Sequence, residues 1–155
     1  MSKIQGAIFM KVQDILAEKG SEVISVHEEK TVFEAMGIFA KNKVGSLLVL
    51  NENNDTVGII GARDVLMEAL RTCEGIKKTK VKEIMTREII VGAPEDNLED
   101  VEKIMTVNRI RHLPIVKQKQ ICGIISIGDV VKAQLQDLHV ENKYLKDYVS
   151  GKYPA

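Results

Sequence analysis

Two short turns carry the side chains whose types and spacing could do chemistry. Ser126 and Asp129 lie three positions apart behind an apolar run, and Gly61 and Asp64 repeat this spacing in the first half. Each segment is typical of a strand, a tight turn and a helix start, where free backbone N–H groups can receive an anion. An Asp at such a place can equally be an N-cap worth about 1 kcal/mol. The two roles are compatible, because a capping carboxylate has lone pairs to spare.

The elements that position these turns recur along the chain. Val32 and Leu98 correspond at an offset of 66 positions (98 − 32), and Asp64 and Asp129 at 65 (129 − 64). The chain is therefore an internal duplication, predicted as helix–strand–helix–strand–strand–helix in each half. A half of roughly 60 residues buries too little surface to fold alone. We expect an α+β (α/β) fold of two pseudo-symmetric repeats, each a small sheet packed with helices.

Hydrophobic periodicity and capping residues set the predicted bounds. Short lead-in helices are expected at 11–16 and 81–85, and helices after Thr31 and after Asp96 or Asn97. Strands are expected at 22–26, 44–50, 56–60, 88–91, 111–116 and 121–125, with closing helices opening at Asp64 and Asp129. The polar stretch 72–80 is interpreted as a solvated linker, and the tail as an extra helix. The resulting domains are 8–72, 79–137 and a C-terminal helical tail at 138–155.

Bulk composition excludes several classes of function. The 155 residues include 22 basic and 22 acidic side chains, and a net charge near zero argues against binding long nucleic acids, which require a basic face. No segment approaches the roughly 18 apolar residues of a membrane span. Cys73 and Cys122 give no disulfide framework, which favours a reducing, cytoplasmic location.

Three motifs in order resemble one known family. They are residues 81–86 (VKEIMT), 110–116 (IRHLPIV) and 123–129 (GIISIGD), and each has an echo in the first half. Over about residues 11–135 the chain resembles a tandem pair of cystathionine-β-synthase (CBS) domains, the Bateman module, and in particular the small stand-alone CBS-pair proteins.

This resemblance implies two clefts that bind adenine nucleotides between the repeats. In the first, Asp129 would hold the ribose hydroxyls and Ser126 would meet ribose or phosphate. The facing wall would be Ile24, Val44 and Gly45. The second cleft would use Asp64 and Arg63 with the following five residues: Ile90, Ile110, Arg111, His112 and Pro114. It departs from the family pattern because Gly61 stands where the hydroxyl is expected.

The resemblance favours a regulatory module that binds AMP first among its candidates, or ATP, NAD or a related adenosyl compound. A symmetric homodimer formed through the exterior helices, and a regulated protein partner, are also expected. The alternative is a structural dimerisation module with vestigial clefts. We expect no enzymatic activity and no resident cofactor or metal, because no catalytic motif occurs and three scattered histidines do not compose a metal site.

Overall fold

The computed structural model describes residues 10–151. Its elements, in chain order, are α1 (Val12–Lys19), β1 (Ser25–His27), α2 (Val32–Asn42), β2 (Ser46–Leu50), β3 (Thr56–Gly61), α3 (Ala62–Arg71), a 3₁₀ turn (Gly75–Lys77), α4 (Val81–Ile84), α5 (Leu98–Asn108), β4 (His112–Lys117), β5 (Gln120–Ser126) and α6 (Ile127–Val149). The predicted mixture of helices and two small sheets is confirmed. The predicted ends of the first and last domains, residues 8–9 and 152–155, lie outside the described residues.

One compact unit comprises residues Glu22–Ile90. Its sheet has the order β1-β2-β3, with β1 parallel and β3 antiparallel to β2. Thr31 caps α2 as predicted, since its Oγ1 accepts from the amide of Glu34 at 3.1 Å. Leu47 and Ile60 are fully buried in the core.

The second unit joins the residues up to Ser21 with those from Val91 onward. Strands β4 and β5 pair antiparallel, and α5 begins after Asn97, whose side chain accepts from the amide of Asp100 at 2.8 Å. The fully buried residues of this unit include Leu113, Ile115 and Ile125.

Each unit takes its lead-in helix from the other repeat. The amide of Val12 at the start of α1 donates to the Asp96 carbonyl at 3.0 Å, and the amide of Val81 at the start of α4 donates to the Lys30 carbonyl at 2.8 Å. Asp96 and Lys30 correspond at the repeat offset of 66 positions (96 − 30), so the two helices begin at equivalent places in their units.

Two predictions about local structure are wrong, those for residues 88–91 and for the linker at 72–80. Residues 88–91 form no strand, and a single parallel bridge between Gly92 and Ile115 replaces it. The described part of the tail is helical as far as Val149, where it continues α6 without a break. The linker is not simply solvated: Ile76 packs against the core and the hydroxyl of Thr79 donates to the buried Glu68 at 3.3 Å.

Candidate functional site

Ser126 and Asp129 form a reciprocal capping box where β5 passes into α6. The Ser126 amide donates to Asp129 Oδ2 at 2.8 Å, and the Asp129 amide donates to Ser126 Oγ at 3.1 Å. The residue that caps the helix is therefore Ser126, and Asp129 is the third helical residue rather than the N-cap. The first amide of the helix, that of Ile127, donates to the Arg111 carbonyl at 2.8 Å. Two of the amides expected to be free for an anion are thus already used.

A lysine that the sequence did not single out completes this arrangement. Lys19, the last residue of α1, donates from Nζ to Asp129 Oδ2 at 2.6 Å and to the Ile124 carbonyl at 2.9 Å. Lys19 and Asp129 are 110 positions apart. No local pattern reports such a pairing, because it depends on α1 packing in the unit that contains β5.

These contacts keep Asp129 charged. Partial burial opposes ionisation, but the ammonium of Lys19 and the amide of Ser126 outweigh it, and the pKa of Asp129 lies below its ordinary value. Its side chain keeps 22% of its surface exposed. Oδ2 accepts both hydrogen bonds, whereas Oδ1 accepts none from residues 10–151. The carboxylate is therefore an available acceptor at neutral pH.

A cavity of about 240 Å³ opens beside this carboxylate. Its charged lining consists of Glu18, Lys19, Asp129 and Lys132, and Ile15 and Ala133 contribute apolar surface. Lys132 Nζ lies 3.9 Å from Glu18 Oε1, and both side chains are more than half exposed. The second pair is therefore looser than the pair of Lys19 and Asp129.

His112 lies next to the same box. It begins β4 directly opposite Ser126 in the strand pairing and is half-buried. Burial lowers the pKa of His112 below 6.5, and the positive charge of Lys19 lowers it further, while the charge of Asp129 acts in the opposite direction. The lowered pKa favours the neutral imidazole.

The other predicted residues of this unit contribute backbone and packing. Ile110 is half-buried, and the side chain of Arg111 is exposed while its carbonyl receives the first amide of α6. Pro114 is buried in β4 opposite Ile124.

The turn in the Glu22–Ile90 unit has the same backbone but a poorer set of side chains. The Gly61 amide donates to Asp64 Oδ2 at 2.7 Å, and the Ala62 amide donates to the Gly45 carbonyl at 3.1 Å. Gly61 offers no hydroxyl, and Arg63 is exposed. Within residues 10–151, Asp64 forms no ion pair.

The remaining predicted wall residues belong to this unit. Ile24 and Val44 pack partly buried against its core, and the Ile24 carbonyl accepts from the Leu48 amide at 3.1 Å. Ile90 is half-buried and lies in no strand. Because each predicted cleft draws residues from both units, the complete clefts stay predictions.

In the described part of the chain, no three or more His, Cys, Asp or Glu side chains lie together where they could hold a metal ion. Across the same residues, no helix combines the length and the apolar character needed to cross a bilayer.

Comparison with known proteins connects this geometry to one family. The family model of the CBS domain matches residues 12–71 and again 81–136. The mitochondrial CBS domain-containing protein CBSX3 of Arabidopsis thaliana is 34% identical over 150 residues, covering 92% of this chain and 73% of its own.

Solved structures agree with the sequence match. The CBS-domain protein ATU1752 of Agrobacterium tumefaciens has a TM-score of 0.79 at 31% identity, covering 84% of this chain and 96% of its own. The CBS domain pair of MJ0100, solved with 5′-methylthioadenosine and S-adenosyl-L-methionine, has a TM-score of 0.69 at 27% identity, covering 80% and 94%. A hexameric CBS-CP12 protein of bloom-forming cyanobacteria has a TM-score of 0.71 at 26% identity, covering 81% and 71%.

Proposed function

Because this chain belongs to the CBS domain family, we propose that it is a regulatory module that binds an adenine nucleotide at the turn of Ser126 and Asp129. The observation that carries the proposal is the ionised carboxylate of Asp129, held by the capping box beside a cavity lined by two lysines. AMP is the first candidate, followed by ATP, NAD and related adenosyl compounds.

The chemistry of the turn suits a nucleoside. A carboxylate can accept from the two vicinal hydroxyls of a ribose, and Asp129 Oδ1 is unused by residues 10–151. The cavity of about 240 Å³ is smaller than the roughly 300–1,000 Å³ of typical small-molecule sites. The purine therefore needs the slot predicted from Ile24, Val44 and Gly45, which remains part of the proposal.

The turn at Gly61 and Asp64 supports a second site less well. It keeps the carboxylate but has no hydroxyl at Gly61, and no lysine among residues 10–151 pairs with Asp64. Arg63 is exposed and able to meet phosphate, with Arg111 as the other predicted cation. We place nucleotide binding first at Asp129.

Calorimetric titration with AMP, ATP and NAD tests the proposal. We expect binding to the wild type and a loss of about tenfold or more in Asp129→Asn, because a charged acceptor contributes more than a neutral amide. Asp64→Asn is the matched control, since Asp64 accepts the same backbone hydrogen bond in its own turn. The unfolding midpoint of each variant separates binding from folding. The proposal fails if no adenine nucleotide gives heat, or if the two variants lose affinity equally.

The alternative function, a structural dimerisation module, is supported by the exposed apolar side chains on two helices. Leu66 and Leu70 on α3 are 59% and 74% exposed, and Leu135 and Leu138 on α6 are 55% and 58% exposed. Such surfaces favour pairing with a second copy of the chain, and we propose a symmetric homodimer. Native mass spectrometry of the purified protein distinguishes a monomer, this dimer and a larger ring, and it identifies any nucleotide that remains bound.

Several expectations stay predictions. They are the cytoplasmic location, the absence of catalysis, the absence of nucleic-acid binding and the existence of a regulated protein partner. Incubation with ATP and magnesium, followed by a phosphate assay, checks the second of these.

A further inference from the structure

The ammonium group of Lys19 occupies the acceptor that a ribose would use. Asp129 Oδ2 receives two donors, the Ser126 amide at 2.8 Å and Lys19 Nζ at 2.6 Å. A diol held by both oxygens of the carboxylate needs Oδ2 as well as Oδ1. The Ser126 amide is fixed by the capping box, so Lys19 is the donor that can leave.

The side chain of Lys19 can move while the structure around it stays folded. It is the last residue of α1, before Gly20 at φ 95°, and 42% of its side-chain surface is exposed. Once released from Oδ2, its ammonium keeps the Ile124 carbonyl at 2.9 Å but loses its anionic partner. It is then an unpaired cation in the lining of the cavity.

A second cation lies on the same cavity. Lys132 is held to Glu18 across 3.9 Å, with side-chain exposures of 69% and 60%, and exposed pairs of this kind contribute little. Lys132 can therefore turn toward an anionic ligand at small cost. A phosphate is an anion that both ammonium groups can reach through flexible four-carbon stems.

We propose that Lys19 exchanges Asp129 for a phosphate of the incoming ligand, with assistance from Lys132. This exchange makes the site selective for nucleoside 5′-phosphates over uncharged adenosyl compounds. A ligand without an anionic group displaces Lys19 from Asp129, and the displaced ammonium then contacts only water. A phosphorylated ligand replaces the lost ion pair with another. The inference rests on the proposed function, because it assumes that Asp129 meets the ribose.

The test is calorimetric titration of the full chain with AMP and with adenosine. The wild type is expected to bind AMP at least about tenfold more tightly than adenosine, the size of one charge-assisted hydrogen bond. Lys19→Met keeps the apolar stem and removes the charge. This variant is expected to bind AMP about tenfold more weakly. Its affinity for adenosine is expected to stay unchanged or to rise, because the ribose diol no longer competes with an ammonium for Asp129. Lys19→Arg is expected to restore the preference.

Lys103→Met is the matched control, since it removes a lysine of the same unit from an exposed pair with Glu99. It is expected to change neither affinity. A second readout is salt: AMP binding to the wild type weakens with added salt, and Lys19→Met reduces that dependence. If the wild type binds AMP and adenosine equally, or if Lys19→Met leaves their ratio unchanged, the exchange is overturned while the proposed function stands. If the wild type binds neither compound, the exchange is overturned, and the proposed function is overturned with it only if ATP and NAD also give no heat.

Discussion

The turns at Ser126 and at Gly61 hold their carboxylates in the same way and surround them differently. In both, the amide of the residue that precedes the helix donates to the carboxylate three positions later, at 2.8 Å for Asp129 and 2.7 Å for Asp64. The Ser126 turn adds a hydroxyl cap and Lys19. The backbone geometry survives duplication because any residue except proline supplies an N–H group, whereas side-chain partners are free to diverge.

The cation differs because the lead-in helices differ. Val12 corresponds to Val81 at an offset of 69 positions (81 − 12), and at that offset Lys19 corresponds to Glu88. Helix α1 extends to Lys19, but α4 ends at Ile84, so residue 88 lies beyond the helix and carries the opposite charge. Within the described residues 10–151, the turn at Ser126 therefore has a bound ammonium and the turn at Gly61 has none.

The largest difference between the two units is expected in the stability cost of alanine at Gly58 and at Gly123, the equivalent glycines of β3 and β5. A Cβ on Gly58 would lie 2.9 Å from the Thr86 carbonyl oxygen, which is backbone fixed by hydrogen bonds to Ile59. The three atoms nearest to a Cβ on Gly123 would all belong to the flexible side chain of Leu16, the closest at 2.6 Å. We expect Gly58→Ala to lower the free energy of unfolding by about 1–3 kcal/mol, and Gly123→Ala by less than about 1 kcal/mol. Urea unfolding of both variants measures this, and equal losses would contradict the difference in the two contacts.

An intermediate effect on the free energy of unfolding is expected from changing the N-cap residue of each turn. Ser126→Ala is expected to cost about 1 kcal/mol of unfolding free energy. Gly61→Ser is expected to stabilise by about a few tenths of a kcal/mol, because serine is only slightly better than glycine as an N-cap. Gly61 has φ −100° and ψ 161°, which serine adopts readily, and its Cβ would lie 3.5 Å from Asp64 Oδ2.

The same denaturation experiment checks both caps. Ser126→Gly serves as the control and is expected to lose only a few tenths of a kcal/mol. A destabilised Gly61→Ser variant would show that the two turns are less alike than their backbones indicate.

The smallest effect is a pKa change at His112. Burial comes first among its causes, followed by the positive charge of Lys19, and the negative charge of Asp129 opposes both. Lys19→Met is therefore expected to raise the pKa of His112, and Asp129→Asn to lower it. Proton NMR titration measures each shift, with Lys103→Met as an unshifted control. A lowered pKa of His112 in Lys19→Met would show that the ammonium of Lys19 does not lie close to His112.

The same titration has a consequence for stability. Because the folded-state pKa of His112 lies below 6.5, folding favours the neutral imidazole. The contribution of His112 to the free energy of unfolding is constant above about pH 6.5. It becomes unfavourable as the pH falls through the pKa of the unfolded state and then through the pKa of the folded state.

The sequence predicted the capped helices well and the edge of one sheet poorly. Thr31 and Asn97 predict the starts of their helices, because the side chain of each accepts a hydrogen bond from the amide three positions later. Residues 88–91 are apolar enough for a strand, yet only Gly92 bridges β4. A strand at an edge needs a partner in register, and apolar character by itself does not supply one.

By itself the sequence determined the duplication, the order of the elements and the positions of Asp64 and Asp129. These features depend on periodicity and on contacts within three or four residues. Only the tertiary structure decided that each unit takes its lead-in helix from the other repeat, and therefore that Lys19 reaches Asp129 across 110 positions. Such a contact is selected by the packing of the whole unit, because no local preference of either residue favours it.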